Sequence, residues 1–148
     1  MIDIIIVVCC ILGGFAIGKF FENRASSKSK FYMDLVRYTS ALNENIVGRQ
    51  LEIAQFNQQF ALNCSKEFGE YLLNRQLKFK IAKPQRDNIA TFFENLSCSG
   101  SKSLSNHIAF YSKIFSNDAN AIQSELSKAA IYGKLGMLLG AMIGILLI

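Results

Sequence analysis

The stretch AAIYGKLGMLLGAMIGILLI, residues 129–148, decides the fold of this chain, because it carries one charge, Lys134, in twenty residues. A second run without charge, IIIVVCCILGGFAIG, occupies residues 4–18. All sixteen basic residues and ten of the eleven acidic ones lie from Lys19 to Lys134. Water-soluble domains spread their apolar residues along the whole chain at helix or strand periods. Two terminal apolar blocks therefore predict two transmembrane helices.

The apolar blocks are short for a bilayer, and the lysines beside them extend their reach. Fourteen or fifteen helical residues rise about 21–23 Å, against a hydrocarbon thickness of about 30 Å. Lys19 and Lys134 can direct their ammonium groups towards the interface from inside a longer segment. We therefore predict transmembrane helices at residues 1–21 and 129–148, with residues 22–128 between them. The early acid Asp3, in place of basic residues, argues against a cleaved signal peptide.

Basic residues beside the apolar blocks predict the orientation of the protein in the membrane. They are Lys19, Arg24, Lys28 and Lys30 after the first block, and Lys128 and Lys134 at the start of the second. Both groups belong to the central segment, so the positive-inside rule predicts that this segment is cytoplasmic. The expected localisation is the cell membrane, crossed twice, with membrane lipid as the first partner.

Helical periodicity dominates the central segment, which has a single proline and no Asn-Gly or Asp-Gly hairpin signal. One face is formed at steps of four, three, four and four by Phe31, Leu35, Tyr38, Leu42 and Ile46. Such a stripe is typical of an amphipathic helix. The predicted fold class is all-α: a small cytoplasmic helical bundle flanked by N- and C-terminal transmembrane helices. We expect most of the twelve phenylalanines to fill the bundle core.

Several breaks between helices are predicted inside the central segment. Residues 74–83 alternate basic and apolar side chains, which suits a loop or a short strand. Pro84 suits the first turn of the following helix. Residues 97–103 have turn composition, and residues 117–120 suggest a kink in the last helix.

Residues that carry catalytic or metal chemistry are sparse. The four cysteines show no metal-ligand spacing, and the lone His107 has no partner at helical spacing. Glu67 and Glu70 fall on a turn that looks solvated. We therefore predict a protein that is not an enzyme, with no catalytic residues, cofactor or metal. No basic stripe interleaved with aromatic residues indicates nucleic-acid binding.

Glycines form a regular series in the second apolar block, with steps of three, four and four. The series is Gly133, Gly136, Gly140 and Gly144. Small residues four apart let two membrane helices approach closely. The expected partners are Gly14 and Gly18 of the first block, or a second copy of the chain in a homo-oligomer.

The run Tyr132–Gly140, YGKLGMLLG, and the segment Phe31–Ile46, FYMDLVRYTSALNENI, resemble the stage III sporulation protein AB family. That family closes on a Leu-Gly, a further glycine and an aliphatic tail, and its first cytoplasmic helix ends on an acidic residue, any residue and isoleucine. Here Glu44-Asn45-Ile46 fills that place. The chain departs from the family at two turns, Gly48–Leu51 and Leu96–Gly100.

This resemblance implies a membrane platform subunit of the channel between mother cell and forespore in sporulating bacteria. The domain of the family is similar to a helical domain of F-type platform proteins in type II secretion. The implied partners are an ATPase like stage III sporulation protein AA and other membrane channel subunits. The implied site is the mother-cell membrane around the forespore. Two alternatives stay open: a platform-like subunit of a type II secretion or type IV pilus system, and an unrelated two-helix membrane regulator.

Overall fold

Helices account for all the regular structure in the described part of the chain. The computed structural model describes residues 2–48, 52–77, 79–96 and 101–146, with the side chains of residues 2–7, 10, 101, 102, 137, 140, 144 and 146 left out. The helices are α1 Ile2–Gly48, α2 Ile53–Leu62, α3 Lys66–Asn74, α4 Lys83–Asn95 and α5 Ser101–Leu146. The all-α prediction is confirmed, since these ranges contain no strand.

Two compact units divide the chain. The terminal unit comprises Met1–Ser27 and Ile122–Ile148, and the central unit comprises Lys28–Ala121. The chain therefore enters and leaves the central unit through the terminal one. The terminal unit takes about two helical turns more from each long helix than the spans predicted from sequence.

The long helices continue through polar stretches of sequence. Residues 22–30 are polar but lack glycine and proline, and glutamate, arginine, alanine and lysine favour a helix. α5 likewise continues through residues 117–120 without leaving the helical state. In the predicted loop, the described residues 75–77 and 79–82 are neither helix nor strand. α4 then begins with Pro84 in its first turn, as predicted.

An aromatic core holds the central unit together. Phe31, Leu35, Tyr38 and Leu42 of the predicted stripe are fully buried, while Ile46 is half-buried. Other helices contribute buried apolar side chains, namely Phe68, Tyr71, Leu72, Ile89, Phe92, Phe93, Leu96, Leu104, Ile108 and Phe115. Burial of each large apolar side chain contributes about 1.5–3 kcal/mol. Five of the twelve phenylalanines are thus buried in this core, and three half-buried ones, Phe56, Phe60 and Phe79, contact its rings. The other four, Phe15, Phe20, Phe21 and Phe110, are exposed.

Polar contacts fix how the short helices meet α1. The carboxylate of Asp34 accepts a hydrogen bond of 2.7 Å from the backbone N–H of Ser65, the residue before α3. It also pairs with Arg37 at 3.0 Å. The hydroxyl of Tyr38 donates to Asn57 of α2 at 2.6 Å. The hydrogen bonds from Tyr38 to Asn57 and from Ser65 to Asp34 join residues that are 19 and 31 positions apart. They set the positions of α2 and α3 on α1.

Candidate membrane anchor and interaction surface

Glycines bring the two helix segments of the terminal unit into backbone contact. A Cβ atom added at Gly18 would lie 2.8 Å from the Cα atom of Gly133 and 3.1 Å from its carbonyl oxygen. A Cβ atom added at Gly136 would lie 3.6 Å from the carbonyl oxygen of Gly14. Because Gly14 faces Gly136 while Gly18 faces Gly133, the two segments run antiparallel. Only residues without a side chain permit the approach at Gly18.

Large apolar side chains cover the outside of the terminal unit. Those exposed are Val8, Leu12, Phe15, Ile17, Phe20, Phe21, Ile131, Tyr132, Leu135, Leu138, Leu139, Met142, Ile143 and Ile145. Their exposed fractions range from 45% at Leu135 to 68% at Tyr132 and Ile145. A water-soluble helix pair buries such side chains between its helices. Here small residues face inward and large apolar residues face outward, which is the distribution found in hydrocarbon.

One helix of the described structure is long and apolar enough to cross a membrane. It is the stretch Ser103–Ile143 of α5, and its most apolar part has no buried residues. The predicted second transmembrane helix, 129–148, falls largely in this stretch. The first predicted helix includes residues 2–7, whose side chains lie outside the described part, and it stays a prediction.

A groove runs along the paired segments of the terminal unit. It encloses about 440 Å³. Its lining is apolar apart from the Tyr132 hydroxyl and consists of Gly14, Ile17, Gly18, Phe21, Tyr132, Gly133, Gly136, Leu139 and Ile143. The glycines form part of its wall, so their lack of side chains both allows the close approach and leaves this space open.

Charged residues mark the ends of the apolar surface. The ammonium group of Lys19 pairs with the carboxylate of Glu22 at 3.0 Å, one turn further along α1. The lysine side chain therefore points away from the apolar segment 4–18, as it must if its ammonium group is to reach the membrane interface. The other predicted flanking residues also lie on the two long helices: Arg24, Lys30, Lys128 and Lys134 are exposed, and Lys28 is half-buried.

The structure brings together only part of the predicted glycine set. Gly14, Gly18 and Gly136 lie in the helix contact, together with Gly133, which makes the closest approach. Gly140 and Gly144 belong to α5, but their surroundings lie outside the described residues. The three-residue step from Gly133 to Gly136 is the sequence signal for this contact, because both residues fall on one helix face.

A basic loop follows α3 in the central unit. Arg75 closes α3 in the left-handed conformation, with φ of 56°. Its guanidinium lies 4.1 Å from the ring centroid of Phe93, a cation–π distance. Phe79 packs its ring 5.3 Å from that of Phe31. These contacts attach the two sides of the loop to the aromatic core.

The titratable groups of the described part form no cluster that could hold a metal ion, and several of them pack against the aromatic core. No group of three or more His, Cys, Asp or Glu residues within it could hold a metal ion. His107 stacks on the ring of Phe92, with centroids 5.7 Å apart and planes nearly parallel. Burial raises the pKa of Tyr38, of Tyr71 and of the Cys64 thiol. A raised thiol pKa makes Cys64 a weaker nucleophile.

Comparisons of the chain with models of protein families, with curated proteins and with solved structures found no match. We therefore infer its function from its own residues and from the family resemblance described above.

Proposed function

We propose that this protein is a non-enzymatic membrane platform subunit, in which two antiparallel transmembrane helices hold a small helical domain at the cytoplasmic face. The observation that supports this proposal most is the distribution of side chains in the terminal unit, which is the opposite of that in a water-soluble helix pair. Backbone contact at Gly18 and Gly133 draws the helices together, and the large apolar side chains face outward. A water-filled environment would penalise that surface, whereas lipid tails accommodate it.

The chain path supports a docking role for the central unit. This unit is inserted between the two halves of the terminal unit, so both of its chain ends are fixed to the anchor. Two attachments restrict the rotation of a domain more than one attachment does, and restricted motion lowers the entropic cost of binding a partner. A platform that presents one surface to an assembly gains from this restriction.

The resemblance gives this role a biological setting. We propose that the complex is the channel between mother cell and forespore, and that the docked partner is an ATPase like stage III sporulation protein AA. The tail Tyr132–Gly140 and the helix Phe31–Ile46 support this assignment, as quoted above. The central unit would then couple the ATPase to other membrane subunits of the channel.

Cysteine labelling tests the anchor and its orientation. In a background without native cysteines, single cysteines replace exposed Asn23 or Ser124, or follow residue 148. A membrane-impermeant reagent on right-side-out vesicles should label only the added terminal cysteine. Inside-out vesicles should give the reverse pattern. Labelling of all three from one side, or extraction of the protein by alkaline carbonate, would contradict the proposed anchor.

Genetics tests the sporulation role separately. Deletion of the gene in its own organism should block spore formation after engulfment, and expression should be confined to the mother cell. A copy that carries Gly13→Ala serves as the complementation control and should restore sporulation. A Cβ atom at residue 13 meets nothing within 4 Å, so this substitution leaves the helix contact unchanged. Normal spore yield in the deletion strain would refute the channel assignment while leaving the membrane anchor intact.

A further inference from the structure

The net positive charge of the chain is concentrated in residues 75–86, which comprise the basic loop after α3 and the first turn of α4 and are called the loop 75–86 below. Arg75, Lys78, Lys80, Lys83 and Arg86 lie within twelve residues that contain no acid. Without these five cations, eleven basic residues remain against eleven acidic ones, so the rest of the chain is neutral. The formal net charge of +5 is therefore the charge of residues 75–86.

In the described part of this loop the charged side chains are exposed, whereas the large apolar side chains are half-buried. Lys80, Lys83 and Arg86 are exposed, as is Arg75 on the ring of Phe93. The intervening Leu77, Phe79 and Ile81 are half-buried. Lys78 lies outside the described residues. The described part of the loop thus exposes several cations close in sequence to half-buried apolar side chains.

The anchoring of the loop connects it to the start of the central unit. Phe79 contacts Phe31, which follows Phe21 of the first predicted transmembrane helix by ten residues. The loop is therefore attached to the part of the domain nearest in sequence to the apolar segment.

We propose that the described cations of this segment, Arg75, Lys80, Lys83 and Arg86, bind the headgroups of anionic phospholipids in the cytoplasmic leaflet. This inference rests on the proposed membrane anchor and adds a second, electrostatic contact between domain and bilayer. Each basic residue near an anionic surface strengthens the association about five-fold. Clustered cations beside half-buried apolar groups match a surface that offers phosphate groups above hydrocarbon. From residue 75 to residue 93 the one acid is Asp87, which is exposed and follows the last cation, and the next acid, Glu94, is also exposed. Asp118 of α5 is half-buried and accepts a hydrogen bond from Gln85.

A fluorescent probe in the full-length chain tests the proposal. Exposed Ala82 is replaced by cysteine in a background without native cysteines, and an environment-sensitive dye is attached. The protein is reconstituted in phosphatidylcholine nanodiscs with 0–40 mol% phosphatidylglycerol and a constant fraction of headgroup-quenching lipid. Quenching should rise with phosphatidylglycerol at low salt. It should fall again near 1 M salt, where the Debye length is about 3 Å.

Two double variants separate the loop from general charge. Lys80→Gln with Lys83→Gln should reduce the ratio of bound to free loop about 25-fold. Lys66→Gln with Lys113→Gln removes the same charge from exposed positions on α3 and α5 and should keep the full response. Circular dichroism of both variants reports whether the helical fold is retained.

Three results would overturn the proposal. The first is equal quenching in discs with and without phosphatidylglycerol, and the second is an equal loss of response in both double variants. The third is a dye response to polyglutamate in phosphatidylcholine discs without any response to phosphatidylglycerol, which would assign the loop to an acidic polypeptide. Failure of the protein to enter nanodiscs at all would instead contradict the membrane anchor.

Discussion

Substitution of Gly18 by alanine tests the helix contact of the terminal unit most directly. The added methyl group would lie 2.8 Å from the Cα atom of Gly133, whereas carbon atoms in favourable contact are about 3.5–4.0 Å apart. The helices must therefore separate by roughly 0.7 Å or more at this point, because a helix backbone cannot turn aside as a side chain can. Overpacking of this kind costs about 1–3 kcal/mol. The packed helix pair should become about 5- to 150-fold less populated relative to separated helices.

Neighbouring glycines provide matched controls for Gly18→Ala. A Cβ atom at Gly13 meets nothing within 4 Å, and one at Gly133 meets Gly18 at an ordinary 3.7 Å. Gly13→Ala and Gly133→Ala should therefore change the stability of the pair by less than about 0.5 kcal/mol. Differences in helix propensity matter little in hydrocarbon, where each segment has to satisfy its own backbone hydrogen bonds.

Energy transfer between dyes on the two chain ends measures this effect, because the paired segments are antiparallel and bring those ends to the same side. The full-length protein is titrated with sodium dodecyl sulfate in dodecylmaltoside micelles. The midpoint of signal loss should fall for Gly18→Ala and stay near the parent value for the two controls. Equal midpoints for Gly18→Ala and Gly13→Ala would refute the backbone contact. An equal drop in all three would show that glycine acts through composition and not through contact.

Three further predictions concern the central unit, measured as the free energy of unfolding of the full-length protein in detergent. Asp34→Ala should cost about 1–3 kcal/mol, because it leaves the N–H at the start of α3 without its acceptor; Asp34→Asn, which keeps an acceptor, should cost clearly less, and equal losses would contradict the reasoning. Burial raises the pKa of the Tyr38 phenol in the folded protein. Its contribution to folding stability is therefore complete below the unfolded-state pKa of about 10 and declines as the pH rises further, because the phenol of the unfolded chain ionises first. Tyr38→Phe should make the alkaline loss of stability less steep, and it should cost about 0.5–1.5 kcal/mol at neutral pH because the hydrogen bond to Asn57 is lost. An unchanged alkaline slope would contradict this prediction. Phe31→Ala should cost about 3–5 kcal/mol, whereas Phe110→Ala, which alters a side chain 63% exposed, should be nearly neutral; similar losses for both would argue against the described core.

The sequence predicts the central unit best where burial follows one helix period. The stripe from Phe31 to Leu42 is buried as expected, because hydrophobic burial dominates the energy at those positions. The separation of α2 from α3 has no comparable local signal. It depends on Asp34, which accepts a hydrogen bond from the backbone N–H of Ser65, 31 residues further along the chain. It also depends on Gly69, where an added Cβ atom would lie 3.1 Å from the carbonyl oxygen of Ala61. Contacts of this range become visible only when the helices are placed together.

The glycine contact shows the same limit in the terminal unit. Composition predicts that small residues line the helix interface, but Gly13 and Gly14 are adjacent and equally small. The structure leaves Gly13 open and places Gly14 beside Gly136. This choice follows from the rotation and register of two antiparallel helices, which are set by all their contacts together. Sequence therefore identifies the kind of interface, and the three-dimensional packing identifies the residues that form it.

The two units are stabilised by different interactions, and this difference leads to a test of the proposed membrane role. The central unit is stabilised by burial of aromatic and aliphatic side chains, a term that urea weakens. Among the described residues of the terminal unit only Gly18 and Ile122 are buried, and the contact between its helices is made by glycine backbone. Its stability therefore comes from close van der Waals contact and from the solvent around its outer side chains. Urea should therefore unfold the aromatic core while the helix pair persists in a micelle, and dodecyl sulfate should act on the pair directly. A protein whose outer apolar side chains were covered by water-soluble partners instead would lose both units to urea together.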